Sequence, residues 1–328
     1  MNKKTSLLTL LYLLIFIIMT STGKTEKLMP LISEEYIYIT SWKSELDDKS
    51  FGPADIAIDS EGYVYITDFL NKCIQKFNSN GKFILQWGNN NKNNVTFFDP
   101  SGIAVDASKN VYITDNYDNG IKKFDCNGTF ITTFGNNCNP HSVIVDSNGY
   151  IYASYTEEIS KFAPEGNIIA RFIVPKEIIL DQNYYSYIFK GIAIDSSSNI
   201  FVICWEQFNI PNNFKYPTPR SLIVKYNSSG EFIMKWGSIG SKEGQFNKAT
   251  DIAIDSMGNI FVVDTYNNRI QKFNSNGKFI LQWGSRGEKN GEFNRPLGIA
   301  IDTQGNVYVA DTGNYRIQKF APKIKKEE

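Results

Sequence analysis

FNRPLGIAIDTQGNVYVADTGNYRIQKF, residues 293–320, decides the fold of the whole chain. It holds three β-rich phrases: GIAID ending at Asp302, NVYVAD ending at Asp311, and Ile317 to Phe320. Turn residues separate them. The first phrase recurs as DIAID at Asp59, GIAVD at Asp106, SVIVD at Asp146, GIAID at Asp195 and DIAID at Asp255. After a short turn each is followed by a partner phrase: YVYITD, NVYITD, YIYAS, NIFVIC and NIFVVD. A third phrase then returns, as at Ile74 to Phe77, Ile121 to Phe124, Ile159 to Phe162, Ile223 to Tyr226 and Ile270 to Phe273.

A fourth phrase, FILQWG at 83–88 and again at 279–284, follows Asn80-Gly81 and Asn276-Gly277. Asn-Gly pairs tolerate the positive φ angles of tight hairpins. Four antiparallel strands in a unit of about 40 to 50 residues describe a propeller blade. The expected fold is therefore all-β: a six-bladed β-propeller with four antiparallel strands per blade. The sixth unit has three strands and ends at Phe320, whereas Tyr36 to Trp42 is an orphan strand that precedes the first unit. Pairing the orphan onto the last blade closes the ring and removes two open edges.

The inner phrase reads Ile-Ala-Ile/Val-Asp in five units, setting a branched face against a small one so that adjacent sheets nest near the axis. Unit three breaks this pattern with Ile144.

Residues 293–320 resemble an NHL repeat almost position by position, and residues 246–273 are a close second. All six units, from about Tyr36 to Phe320, fit the frame. The resemblance implies that an Asp closing the second strand and the Asn and Arg of the next turn hold each blade together. The matching residues are Asp264, Asn267 and Arg269, and Asp311, Asn314 and Arg316. Units one and two keep Asp68 and Asp115 but carry Cys73 and Gly120 at the Arg position; units three and four put Ser154 and Cys204 at the Asp position.

Outside the repeats, residues 1–23 read as a signal peptide: MNKKTS, an apolar run from Leu7 to Met19, then Ser21-Thr22-Gly23. Cleavage before Lys24 is expected, an uncleaved anchor being the alternative, because the run is shorter than the roughly 20 residues of a comfortable span. Residues 24–35 then form a linker, 36–321 the propeller and 322–328 a charged tail. Secretion or display at the cell surface follows. The chain has 34 basic and 34 acidic residues and no basic block before its tail, which argues against nucleic acid. No membrane contact beyond the N-terminus is expected, and the propeller is read as a monomer. Cys73, Cys126, Cys138 and Cys204 are expected as free thiols, since Cys126 and Cys138 flank opposite ends of one strand.

The six aspartates that end the inner phrases suggest a cation ring, but each precedes a turn whose backbone N–H groups its carboxylate can accept. The chain has one histidine, His141, too few to build an imidazole metal site. His141 falls just before the third inner strand, beside the channel mouth, where Asp55, Lys190 and Asp251 are also placed. A pair of Asp could hold calcium only with help from carbonyls or water, so no cofactor is expected and calcium is the weaker alternative. No GxSxG, HExxH or Walker phosphate loop occurs.

Binding is read from two insertions that interrupt the repeat. Residues 175–190 carry Tyr184, Tyr185 and Tyr187; residues 205–220 carry Trp205, Phe208, Phe214 and Tyr216. Both should emerge on one rim, where exposed aromatics supply contact area. Asn94, Asn127 and Asn227 are glycosylation sequons. The functional expectation is an exported, non-catalytic platform that binds a protein or glycan through the rim of blades three and four. The alternative is a cation-dependent hydrolase or lyase at the channel mouth.

Overall fold

Six four-stranded sheets follow one another along the chain. The computed structural model describes residues 33–44, 51–88, 95–116, 118–135, 139–173, 184–208 and 219–325. Blade one is β2 (Pro53–Ile58), β3 (Val64–Asp68), β4 (Cys73–Phe77) and β5 (Phe83–Trp87). Blade two is β6 (Pro100–Val105), β7 (Val111–Asp115), β8 (Asp118–Phe124) and β9 (Phe130–Phe134). Blade three is β10 (Ser142–Val145), β11 (Ile151–Ser154), β12 (Glu158–Phe162) and β13 (Ile168–Ile173). Blade four is β14 (Tyr184–Ile194), β15 (Ile200–Phe208), β16 (Arg220–Tyr226) and β17 (Phe232–Trp236). Blade five is β18 (Ile252–Ile254), β19 (Ile260–Asp264), β20 (Arg269–Phe273) and β21 (Phe279–Trp283).

Blade six takes β22 (Ile299–Ile301), β23 (Val307–Asp311) and β24 (Arg316–Lys325) from the end of the chain and its outermost strand, β1 (Ser33–Trp42), from the beginning. This is the closure expected from the orphan strand. β24 runs to Lys325, past the expected boundary of the propeller at 321, and pairs with the ten-residue β1. Among the described residues no helix is long and apolar enough to cross a membrane.

The core is divided. Among the described residues the buried apolar side chains form six clusters, and each draws on two neighbouring blades. Ile56 and Ala57 show why: Ile56 packs toward blade six, Ala57 toward blade two. Successive residues of a strand point to opposite faces, so each sheet buries both sides only when it has two neighbours. Ile144 in blade three packs at the three–four interface beside Tyr152 and Ile192.

At the closure, the Tyr36 ring stacks on Trp283 at 4.6 Å and meets Phe261 edge-on, fastening β1 to blade five. Trp42 meets Phe77 of blade one and Tyr308 of its own blade at just over 6 Å. One strand thus bridges three blades.

The turn aspartates do the turn work anticipated for them. Asp59 Oδ1 accepts the N–H groups of Glu61 and Tyr63, and its Oδ2 accepts the Tyr65 hydroxyl. Asp302 repeats this with Gln304, Asn306 and Tyr308. The blade-closing aspartates match their expected role as well. Asp264 Oδ2 accepts from Asn267, Arg269 and Gln271 at 2.8–3.1 Å, and Asp311 does the same with Asn314, Arg316 and Gln318. In blade one, Cys73 leaves Asn71 and Gln75 to hold Asp68. Cys73, Cys126 and Cys204 are free, and Cys138 lies outside the described residues. Burial, then the Asp68 charge, pushes the Cys73 thiol up to about 12, so it is an unreactive core residue.

Trp42→Ala removes the ring that ties β1 to blade one and is expected to lower the unfolding free energy by about 2–3 kcal/mol, a discount from full core burial. Ile39→Ala, on the same strand but 48% exposed, is expected to cost less than about 0.5 kcal/mol. Urea denaturation of the two variants checks this, and equal losses would remove the closure role of Trp42.

Candidate functional site

The residues that end or precede the inner strands converge on the axis. Asp55, His141, Lys190 and Asp251, picked out from four different repeats, line one cavity of about 310 Å³. Small residues let them approach. A Cβ on Gly191 would stand 2.5 Å from Asp251 Oδ1, and one on Gly298 would stand 2.7 Å from the Asp55 Cα. Only glycine fits between these blades.

Asp55 and Asp251 link adjacent blades through backbone. Asp55 accepts the N–H of Ile56 at 2.7 Å and that of Ile103, in blade two, at 3.0 Å. Asp251 accepts the N–H of Ile299, in blade six, at 2.8 Å. The two carboxyl groups are near enough to influence each other's titration. Burial, then the Asp251 charge, raises Asp55 well above the usual carboxylate range; burial pushes Asp251 up to about 6. The pair titrates as a unit.

Basic groups line the same mouth. Burial, then the charge on Lys190, lowers His141 to about 4, so its imidazole is neutral at physiological pH. Its Nε2 stands 3.5 Å from the Thr156 hydroxyl. Lys190 is brought down to about 8 by burial and by Lys248. Trp205 joins this wall: Lys190 Nζ lies 4.8 Å from its ring centre and Lys248 Nζ lies 5.1 Å away. Lys248 and Arg295 in turn stand 5.1 and 5.5 Å from the Tyr266 ring. Cations and rings therefore alternate from the cavity to the rim.

Blade four builds this wall by departing from the repeat. β14 and β15 have 11 and 9 residues, against 3 and 5 for their counterparts in blade five. They pair from Tyr184↔Phe208 to Ile194↔Ile200, with register shifts at Tyr184/Ser186 and Phe189/Ile192. The second shift contains Lys190 and Gly191 and turns Lys190 toward the mouth. At the far end Glu206, fully buried, is paired with Arg220 opposite it in the ladder. This pair does for blade four what Asp264 and Arg269 do for blade five, two residues further out along the hairpin.

The described parts of the two insertions, residues 184–190 and 205–208, lie in an extended hairpin. YYSYIFK is rich in aromatic and β-branched residues and folds as strand. Tyr187 is 1% exposed, packs in the core between blades three and four, and donates its hydroxyl to the Glu157 carbonyl. It is no part of a surface. Tyr184 and Tyr185 open β14 and Phe208 closes β15, whereas Phe214 and Tyr216 lie outside the described residues. Trp205 belongs to the channel mouth, half-buried, with its indole N–H on the Ala249 carbonyl. Lys248, Tyr266 and Arg295 were missed because they sit in ordinary repeat turns.

Among the described residues no three His, Cys, Asp or Glu side chains are grouped so as to hold a metal ion. Asn127 is exposed on a hairpin turn, while the Asn227 amide nitrogen donates to Glu231 at 2.7 Å; Asn94 lies outside the described residues.

The fold is that of a six-bladed β-propeller with four antiparallel strands per blade. Residues 246–273 and 293–320 match the NHL repeat, so blades five and six of the propeller each carry one. Among solved structures it is similar to virginiamycin B lyase from Staphylococcus aureus, at 16% identity and a TM-score of 0.58, covering 88% of this chain and 99% of that one. It is also similar to a gluconolactonase from Xanthomonas campestris, at 12% identity and a TM-score of 0.59 over 88% and 99% of the two chains. A chain of a nidogen/laminin complex matches at 16% identity and a TM-score of 0.55, over 80% and 86%. At these identities the likeness is one of fold.

Folded Asp251 holds its proton to a higher pH than an unfolded aspartate, so its contribution to stability is lost as pH rises through about 6. His141 has the opposite sign: its folded pKa lies below the unfolded one, so stability is lost as pH falls from about 6.5 to about 4. The two effects oppose each other in one window. Asp251→Asn is therefore expected to lose more stability between pH 6.5 and 4 than the parent does. Urea midpoints across that window test it, and parallel slopes would count against the assignment.

Proposed function

We propose that this protein is an exported, non-catalytic propeller that binds a protein or glycan partner at the axial mouth on the side of blades three and four. One observation carries the reading: the lengthened β14–β15 hairpin delivers Trp205 and Lys190 to the edge of the axial cavity. A structural repair of blade four accounts for Trp205, which packs on the core between blades four and five, but does not call for Lys190 at the mouth. Pockets that combine an aromatic platform with a few convergent polar groups are the usual form of a binding site. The N-terminal segment supports export, and a monomer suffices because the ring closes on itself.

Capture of partners from the native extracellular medium is the test. Trp205→Ala, and separately deletion of residues 209–218, are expected to reduce capture about tenfold or more while leaving a single cooperative thermal transition. Undiminished capture by both folded variants would refute the placement.

The alternative, a cation-dependent hydrolase or lyase, draws on the contact between Asp55 and Asp251. Both carboxylates already accept backbone N–H groups, and burial that raises their titration disfavours the ionised pair a cation needs. Calorimetric titration with calcium at pH 7.5 is expected to show no saturable heat that depends on Asp251. Stoichiometric binding abolished by Asp251→Asn would favour the catalytic reading.

A further inference from the structure

We infer that the mouth is a carboxylate-binding site: the wall formed by Lys190, Trp205 and Lys248 takes the anionic group of an organic acid of about monosaccharide size. The inference rests on the placement of the binding face at this mouth and names the chemistry of its occupant.

Three features converge. First, the cations are uncompensated. Among the described residues Lys190, Lys248 and Arg295 form no salt bridge; the first two lie against the Trp205 ring and the third against Tyr266. Elsewhere in the ring the buried arginines are paired, Arg269 with Asp264 and Arg316 with Asp311, and buried Lys76, which forms no salt bridge among the described residues, donates to the Cys126 carbonyl. Second, the nearby acids are already engaged. Asp55 and Asp251 accept backbone N–H groups of neighbouring blades, and Asp99 accepts the Asn116 amide at 2.9 Å. Third, the basic groups oppose one another: Lys248 disfavours the charge on Lys190, and Lys190 disfavours a charge on His141. An oxyanion between them relieves both repulsions and gains charge-assisted hydrogen bonds in a partly desolvated place.

Carboxylate suits the wall better than a neutral ligand. Lysine is a donor only, so a hydroxyl offers it weaker acceptors than an ionised oxygen does. The cavity volume of about 310 Å³ lies at the lower end of the range for small-molecule sites.

His141 is the only histidine of the chain, so its imidazole C–H resonances are an unambiguous probe at the site. Glucuronate, N-acetylglutamate and glucose would be titrated into the full-length protein, and the His141 midpoint followed by proton NMR. At least one of the two carboxylates is expected to give a saturable shift and to raise the His141 midpoint, because an anion favours the imidazolium. Whichever of them does so tells whether a sugar or an acidic peptide side chain carries the group. Glucose is expected to do neither.

The double variant Lys190→Met/Lys248→Met is expected to weaken carboxylate binding about tenfold or more, with Lys82→Met, on an exposed turn of blade one, unchanged. Silence of His141 toward both carboxylates, equal binding of glucose, or full affinity in the double variant would overturn the inference. Should the double variant not fold, the comparison of glucuronate with glucose on the native protein still decides. Capture lost in Trp205→Ala while both carboxylates are silent would leave the partner-binding face standing and remove its anionic occupant.

Discussion

Every blade of this protein depends on having a neighbour on each side. No common core lies beneath the sheets; the buried apolar surface is shared out between successive blades, six interfaces for six blades. An open array would leave one face of two blades in water and would offer two unpaired strand edges. The pairing of β1 with β24, and the seating of Tyr36 and Trp42 on the blades to either side, is the contact that makes the arrangement cyclic. The remaining interfaces then reinforce one another.

Closure also creates the place where chemistry collects. Six inner strands brought to one axis crowd their N-terminal residues together, and the chain answers with glycine in three of the six positions and with Asp55 and Asp251 in two more. These carboxylates serve the ring by accepting backbone N–H groups from the following blade. Their raised titration follows first from burial, so it needs no functional explanation. What the ring does not require is the basic and aromatic wall at the same mouth, whose Lys190 and Trp205 come from the blade that strays furthest from the repeat.

The fold was legible because the same physical problem is solved six times. Inner phrases that end in Asp, tight turns and a returning strand recur, and the missing strand at one terminus matches the spare one at the other. The four mouth residues were also readable, since a repeat fixes where the start of each inner strand must point. Lys248 and Arg295 were not, because nothing in a single turn reveals which ring it will face across a blade boundary. Tyr187 shows the reverse error. An insertion judged by its failure to match the repeat looked like a loop, whereas its alternating aromatic and apolar residues were lengthening a strand and burying that side chain.

The outer strand of blade six carries a consequence for biosynthesis. β1 is made first, yet its hydrogen-bonding partner is β24, so nearly the whole polypeptide must leave the ribosome before the strand can dock. Until then an apolar edge bearing Tyr36, Tyr38 and Trp42 waits without a ladder, the kind of segment that chaperones shield and that neighbouring copies can capture. The ring is thus quickest to misassemble at the very seam that later holds it shut.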